Sequence, residues 1–168
     1  SQELCTGSST AAVVSSGFAP NTNYNWTNSN TSIGLGATGV GDIPSFVTIN
    51  RGTIPQVATI TITPTYSNLG LTCTGSSRQF TYTVNAVPSI ANITETICSE
   101  TRFTTIPVDG GVNANIVPPN TKYTWTIAAN PNVSGQQNQL VAQASISQVL
   151  TNLTSVVQTV VYTVTPIS

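Results

Sequence analysis

The sequence has no histidine and no methionine, and it carries only four basic and five acidic side chains among 168 residues. Without histidine, the Ser-His and Cys-His pairs of nucleophilic catalysis cannot form, and most zinc-ligand sets are excluded. A Ser-Lys pair would depend on Lys122, which we expect to be solvated because lysine is rarely buried. The acidic residues show no spacing that would hold two carboxyls across a cleft, as glycoside hydrolysis requires. These absences argue against an enzyme.

Positive charge and long apolar runs are also scarce. The four cations, at positions 51, 78, 102 and 122, are scattered along the chain, whereas phosphate backbones are bound by clustered Lys and Arg. No apolar stretch approaches the roughly 20 residues of a membrane-spanning helix. We therefore expect neither nucleic-acid binding nor membrane insertion. We also expect no cofactor and no structural calcium, because the acids form no D-x-D cluster.

Cysteine is present three times. Cys5 and Cys73 lie close to the two ends of the first half of the chain, and a disulfide between the first and last strands of that half is the pairing we predict. Cys98 is then left without a partner, which is unusual for a secreted protein. In a reducing compartment all three cysteines would instead be free thiols, and the sequence leaves that alternative open.

The chain contains one sequence pattern twice. Asn-Thr-Asn-Tyr-Asn-Trp-Thr at 21–27 returns as Asn-Thr-Lys-Tyr-Thr-Trp-Thr at 120–126. The only two tryptophans, Trp26 and Trp125, therefore occupy equivalent places, and a cysteine precedes each pattern. Such a repeat indicates tandem copies of one domain type, each large enough to bury a modest core. The predicted domains are 1–87 and 88–168.

Polar and apolar residues alternate along several segments. At 58–63, 80–85 and 160–165 the apolar residues recur at every second position, which is typical of strands with one buried face. Further strands are predicted at 11–15, 23–27, 45–50, 101–107, 123–128 and 142–150. No segment has the apolar spacing of an amphipathic helix. The predicted fold is therefore all-β, with two tandem β-sandwich domains.

The two halves differ after their Thr-Pro pairs. The first half continues from Pro64 through Cys73 to an alternating strand at 79–84, and no counterpart of either follows Pro166. We therefore expect the second domain to lack its last strand through truncation and to present an unpaired sheet edge. The same interpretation explains why Cys98 has no partner.

A glycine-rich segment at 34–39 satisfies the pattern G-x-G-x-x-G. In nucleotide-binding folds these glycines lie between a strand and the helix whose N-terminus binds pyrophosphate. Here Val-Gly-Asp-Ile-Pro follows at 40–44 and does not begin a long helix. We predict a flexible connection between strands and no nucleotide site.

The repeated aromatic pairs are the remaining candidates for a binding site. Tyr24 and Trp26 lie two residues apart on one strand, as do Tyr123 and Trp125, so each pair faces one side of its sheet. A sugar-stacking platform would expose these rings, whereas a sandwich core would bury them. We predict that all four are core anchors, because both domains need such an anchor in the same place.

Several motifs resemble those of a known family. Cys-Ser at 98–99, the block at 119–126, the segment at 144–152 and the ending at 160–166 look like the PKD-like, immunoglobulin-like repeats of Bacteroidota surface proteins. The segments at 26–35 and 43–46 resemble a sister type of these repeats. The resemblance covers nearly the whole chain and implies two PKD-like, Ig-like β-sandwiches.

The resemblance also implies a function. Such repeats form the stalks of very long cell-surface adhesins, including those of gliding motility that the type IX secretion system exports. We therefore expect an extracellular, cell-surface spacer whose partners are neighbouring repeats, surface polysaccharide or another cell-surface protein. The alternative is a carbohydrate- or ligand-binding accessory module of a secreted hydrolase.

Overall fold

The computed structural model describes residues 1–15, 21–110 and 114–168, and their regular structure is β-strand. Across these ranges, helical structure is limited to one 3-10 turn at Thr31–Ile33. The all-β prediction is confirmed. The chain folds as two compact units, Ser1–Ala86 (unit 1) and Val87–Ser168 (unit 2).

Unit 1 is built on one main sheet. Its strands are β1 (Gln2–Cys5), β2 (Thr22–Asn28), β3 (Thr38–Val40), β4 (Gln56–Asn68), β5 (Leu71–Thr74) and β6 (Arg78–Asn85). The sheet order is β1-β6-β4-β2-β3, and β5 pairs with the far end of β4. The pairing of β1 with β6 is parallel, and the others are antiparallel. The strand β6 therefore lies between β1 and β4.

A second, irregular layer covers this sheet. The predicted strands at 11–15 and 45–50 each contribute one residue to an isolated bridge, Val13 to Ile43 and Val47 to Ser9. Side-chain hydrogen bonds also join 45–50 to the start of the chain, because the Thr48 hydroxyl donates to the backbone carbonyls of Cys5 and Ser8. The two layers form the sandwich that the alternation predicts.

The core of unit 1 lies between these layers. Its buried apolar residues are Trp26, Ile33, Leu35, Ile43, Ala58, Ile60, Tyr82 and Val84. The ring of Tyr82 is packed edge-on by Phe46 and Phe80, with centroids 5.3 Å apart in both pairs. Tyr82 and Val84 are fully buried, so β6 closes this core.

Unit 2 divides its strands among three small sheets. They are β7 (Arg102–Thr105), β8 (Lys122–Ala128), β9 (Val133–Ser134), β10 (Gln139–Gln143), β11 (Ile146–Val149), β12 (Thr151–Asn152) and β13 (Val161–Ile167). The pairings are β10-β8-β13, β11-β7 and β12-β9. The predicted strand at 142–150 is thus divided between β10 and β11.

Unit 2 repeats the plan of unit 1 around its tryptophan. Trp125 pairs with Val164 in β13, as Trp26 pairs with Ile62 in β4. Only Tyr123, Trp125 and Ile146 are buried in its main cluster, against which Phe103, Tyr162 and other half-buried residues pack. Among the described residues no strand pairs with the other edge of β13, where β6 lies in unit 1.

Candidate functional site

The four aromatic candidates are not equally buried. Trp26, Tyr123 and Trp125 are 6%, 1% and 4% exposed, whereas Tyr24 is only half-buried. The Trp125 indole donates to the carbonyl of Gln137 at 3.1 Å, while the buried Trp26 indole nitrogen has no acceptor within the described parts of the chain. Ring faces in these interiors are not available for stacking on a ligand. Tyr24 differs from its prediction because it lies at the border of the core.

The glycine-rich segment has structural roles in unit 1. Gly34 has φ +100 and ends the 3-10 turn with its amide bonded to Thr31. A Cβ at Gly39 would overlap the Trp26 indole, so the backbone of β3 lies flat against that ring. Because the segment runs into β3, which contains Gly39, instead of into a helix, it lacks the helix N-terminus of a phosphate site. The segment packs against the tryptophan of unit 1.

A small open cleft lies at one border of unit 1. Its volume is about 210 Å³, below the roughly 300–1,000 Å³ of typical ligand pockets. Its lining residues are Val14, Ser15, Tyr24, Ile62, Pro64, Ser76 and Arg78. The cleft is the place where one of the repeated aromatic residues reaches solvent.

The predicted Cys5–Cys73 disulfide is wrong for this structure, which holds both cysteines free and exposed. Cys5 pairs with Asn85 in β6, beside the start of β4, whereas Cys73 pairs with Tyr66 near the end of β4. A strand advances about 3.3 Å per residue, so the stretch of β4 from Gln56 to Tyr66 keeps the two cysteines roughly 30 Å apart. A disulfide requires Cα atoms about 4.4–6.8 Å apart. Cys98 is also free and exposed.

The acidic residues act as local acceptors. Asp42 accepts from the backbone amide of Ser15 at 2.8 Å, and Asp109 accepts from that of Val117 at 3.0 Å. Over the described ranges, no group of three or more His, Cys, Asp or Glu residues could hold a metal ion. Nor does that part of the chain contain a helix long and apolar enough to cross a membrane.

An asparagine clamp occurs in both units, and sequence reasoning missed it. In unit 1, Asn30 donates to the side chain of Gln56 at 3.2 Å; in unit 2, Asn130 donates to Gln158 at 3.2 Å. Each asparagine also accepts from the backbone amide two residues later. The signal in the sequence is an Asn after each Tyr-x-Trp pattern and a Gln before each alternating strand.

A second pair of asparagines differs between the units. Asn50 donates through Nδ2 to the carbonyl of Ile54 at 2.8 Å and to that of Val84, in β6, at 2.7 Å. Asn152 makes the equivalent bond to Val156 at 2.8 Å. In the described structure its Nδ2 has no second acceptor, because no strand stands in the place of β6.

The segment before β7 takes the place that β1 has in unit 1. Glu100, with φ +63, donates its amide to the carbonyl of Leu150 at 2.8 Å; Gly7, with φ +85, donates to Thr48 at 2.8 Å. Residues 95–98 then correspond to β1, but they form no strand and every residue is exposed. Within the described ranges, unit 2 thus has two unpaired edges, β13 and 95–98, where unit 1 has β6 between its neighbours.

Comparisons with known proteins give one family. No curated protein and no solved structure matches the chain significantly. Residues 95–168 match the family model of the PKD-like domain. PKD-like domains are usually extracellular, non-catalytic modules. The β-sandwich architecture of unit 2 agrees with this match, and the chain therefore contains a PKD-like domain at residues 95–168.

Proposed function

We propose that the chain is a pair of structural spacer modules in the stalk of a long, secreted cell-surface adhesin. The observation that carries this proposal is the burial of Trp26 and Trp125, which are 6% and 4% exposed. The tryptophans that the two units share build their cores and offer no ring face to a ligand. A repeated module of this kind supplies length or multivalency to the protein that contains it.

The wider setting of the proposal comes from the PKD-like match and the resemblance of the motifs. Residues 95–168 match a family of usually extracellular modules, which supports a place outside the cell. Surface attachment or gliding motility is the process we propose, with export by type IX secretion. The direct partners would be neighbouring repeats of the same polypeptide, while surface polysaccharide or another surface protein would bind elsewhere on the adhesin.

A replacement experiment in the parent protein tests the spacer role. Deleting residues 1–168 from the adhesin should reduce attachment of the cells to a surface, because the binding end is brought closer to the cell. Replacing the same residues by two unrelated β-sandwich modules of equal length should restore attachment. If the replacement is as defective as the deletion, the segment recognises something and is not a spacer.

The second candidate is a carbohydrate-binding accessory module. The observation that favours it is the cleft in which Tyr24 and Arg78 reach solvent beside Pro64, since sugars stack on exposed aromatic rings. We expect no binding of soluble polysaccharides to the chain by calorimetry. Binding that Tyr24→Ala abolishes, and that the exposed Tyr66→Ala retains, would favour this candidate over the spacer.

A further inference from the structure

The position of β6 in unit 1 has a vacant counterpart in unit 2. β6 is antiparallel to β4, with Gln56 opposite Val84, and parallel to β1, with Cys5 opposite Asn85. In unit 2 the corresponding neighbours are β13 and residues 95–98. No strand lies between them within the described part of the chain.

The surroundings of this gap are nevertheless preserved. Ser99 accepts through its hydroxyl from the amide of Asn152 at 3.0 Å, as Thr6 accepts from the amide of Asn50 at 2.8 Å. Glu95 accepts from the hydroxyl of Thr105 at 2.9 Å, which holds the segment from its other side. Residues 95–98 are therefore held in the place of β1 although they have no strand partner among the described residues.

The side chains that face the gap are apolar and incompletely covered. Tyr162 in β13 is half-buried, whereas Ile60 at the equivalent position in β4 is fully buried. Ile97 is 38% exposed, whereas its counterpart Leu4 is half-buried and pairs with Val84 in β6. In unit 1, Tyr82 and Val84 of β6 are fully buried in the same core cluster as Ile60.

Asn152 gives a separate, polar indication. The second Nδ2 proton of Asn50 is used on a carbonyl of β6 at 2.7 Å, and the matching proton of Asn152 has no acceptor among the described residues. A buried hydrogen bond to a strand backbone positions that strand along its length. Asn152 therefore offers the bond that would fix the register of a strand in the gap.

We propose that unit 2 binds an extended strand in the gap between β13 and residues 95–98. The strand would run antiparallel to β13 and parallel to 95–98, and its backbone would accept from Asn152. Its chemistry is that of β6: apolar or aromatic side chains at three alternating positions and uncharged polar residues between them. Strand addition of this kind gives affinity through main-chain hydrogen bonds and specificity through alternate side chains. The inference rests on the geometry of the two units and does not require the proposed function.

Pairing of two β13 strands from two copies of the chain is the competing arrangement. It would cover one edge of the gap but leave residues 95–98 unpaired and Asn152 without its second acceptor. A strand that fills the gap satisfies both edges and the asparagine together. The geometry therefore favours a β6-like strand over edge-to-edge dimerisation.

An extended chain tests the proposal directly. Pro166 pairs with Tyr123 as Pro64 pairs with Tyr24, so Ser168 corresponds to Tyr66. A copy of residues 67–86 attached after Ser168 would thus continue in the register of β4, β5 and β6. We expect amide hydrogen exchange at 95–98 and in β13 to slow by about tenfold or more, the factor that corresponds to roughly 1.4 kcal/mol of added local stability.

The matched control carries Ser in the attached copy at the positions of Phe80, Tyr82 and Val84. This control should leave exchange at 95–98 and in β13 as it is in the 168-residue chain. Equal protection by both extensions, or by neither, would overturn the proposal. Protection of β13 in the 168-residue chain that increases with protein concentration would also overturn it, because a second copy would then cover the edge.

Cys98 provides a test of register that does not depend on stability. In unit 1, Cys5 lies opposite Asn85, so Asn85→Cys in the attached copy should form a disulfide with Cys98 under mild oxidation. The native Cys5 and both copies of Cys73 would be replaced by Ser. Thr83→Cys in the attached copy should not crosslink, because it lies two positions along the strand. Equal crosslinking at both positions would show that no specific register exists.

Discussion

Gly39 and Trp26 are paired residues of neighbouring strands, and the large indole of Trp26 lies over a residue that has no side chain. The indole occupies the space that a Cβ at Gly39 would need. This close approach explains why a glycine of the G-x-G-x-x-G pattern is needed here without any nucleotide. At the residue scale, the repeated tryptophan of unit 1 depends on the absence of a neighbouring side chain.

Gly39→Ala is expected to destabilise unit 1 by about 1–3 kcal/mol, because the added methyl forces the indole or β3 to move. Gly36→Ala is the matched control: a Cβ there meets nothing within 4 Å, and we expect a change within about 0.5 kcal/mol. Denaturant unfolding followed by the NMR signal of the Trp26 indole would measure both. Equal stability of the two variants would show that the indole does not contact Gly39.

Tyr162 makes the stability of unit 2 depend on pH in the alkaline range. Burial raises the pKa of Tyr162 to about 12 from an ordinary value of 10.0, and its hydroxyl donates to Gln148 at 2.7 Å. Between these pH values the unfolded chain loses the phenol proton while the folded chain retains it. The contribution of Tyr162 is therefore complete below pH 10.0 and is lost as the pH rises towards about 12.

Tyr162→Phe should make the stability of unit 2 fall less steeply over this alkaline range. The variant also loses the bond to Gln148, so the slope with pH, and not the stability at neutral pH, is the relevant readout. Thermal unfolding followed at the Trp125 indole would supply it. Tyr66→Phe, a substitution in unit 1, is the control and should leave the slope of unit 2 unchanged. An unaltered slope in Tyr162→Phe would show that Tyr162 is not shielded from water.

At the scale of elements, the length of β4 decides several features of unit 1. Its first part pairs with β6, and its last part extends with β5 into a hairpin whose residues are largely exposed. This hairpin places Cys73 far from Cys5, although both bracket the domain in sequence. The sequence shows where cysteines occur but not how far a strand extends beyond its core.

The thiol count follows from this arrangement. We expect a thiol reagent to detect all three cysteines of the native chain, both before and after treatment with a reductant, because all three are free and exposed. Cys98→Ser should lower the count by one in both conditions. A count that rises only after reduction would restore the Cys5–Cys73 disulfide and contradict the strand pairing of β5.

The strands that were predicted well are those whose pattern follows from burial on one face. β4, β6, β8 and β13 alternate because one side packs on a core, and that alternation is visible in the sequence. The second layer of unit 1 was not predictable in this way. In these segments, Val13 and Val47 form isolated bridges to Ile43 and Ser9, and the Thr48 hydroxyl donates to the carbonyl of Cys5. The strand propensity of 11–15 and 45–50 therefore does not lead to a continuous ladder.

The candidate site was predictable only in part. The repeat identified Trp26 and Trp125, whose burial follows from their apolar bulk. The role of Asn50 depends on a carbonyl of β6, which is distant in sequence, and asparagine is too common in this chain for one position to stand out. A hydrogen bond between segments distant in sequence leaves no local signal.

At the scale of the whole molecule, the chain consists of two units that share a plan around their tryptophans and differ at the position of β6. Equivalent tryptophans, asparagine clamps and left-handed turns occur in both, and residues 95–168 match the PKD-like domain. Such units suit the proposed spacer, because each supplies a folded segment whose tryptophan is buried. The open position in unit 2 gives that spacer a place where a further strand can be bound.

Amide hydrogen exchange on the 168-residue chain tests the central claim most directly, namely that unit 2 has the plan of unit 1 with one strand position open. We predict that the amides of β1 that bond to β6 exchange slowly, and that those of 95–98 exchange at rates close to those of an unstructured peptide. Slow exchange of β1 and 95–98 alike, independent of protein concentration, would contradict the account, because residues 95–98 would then already have a strand partner within the chain.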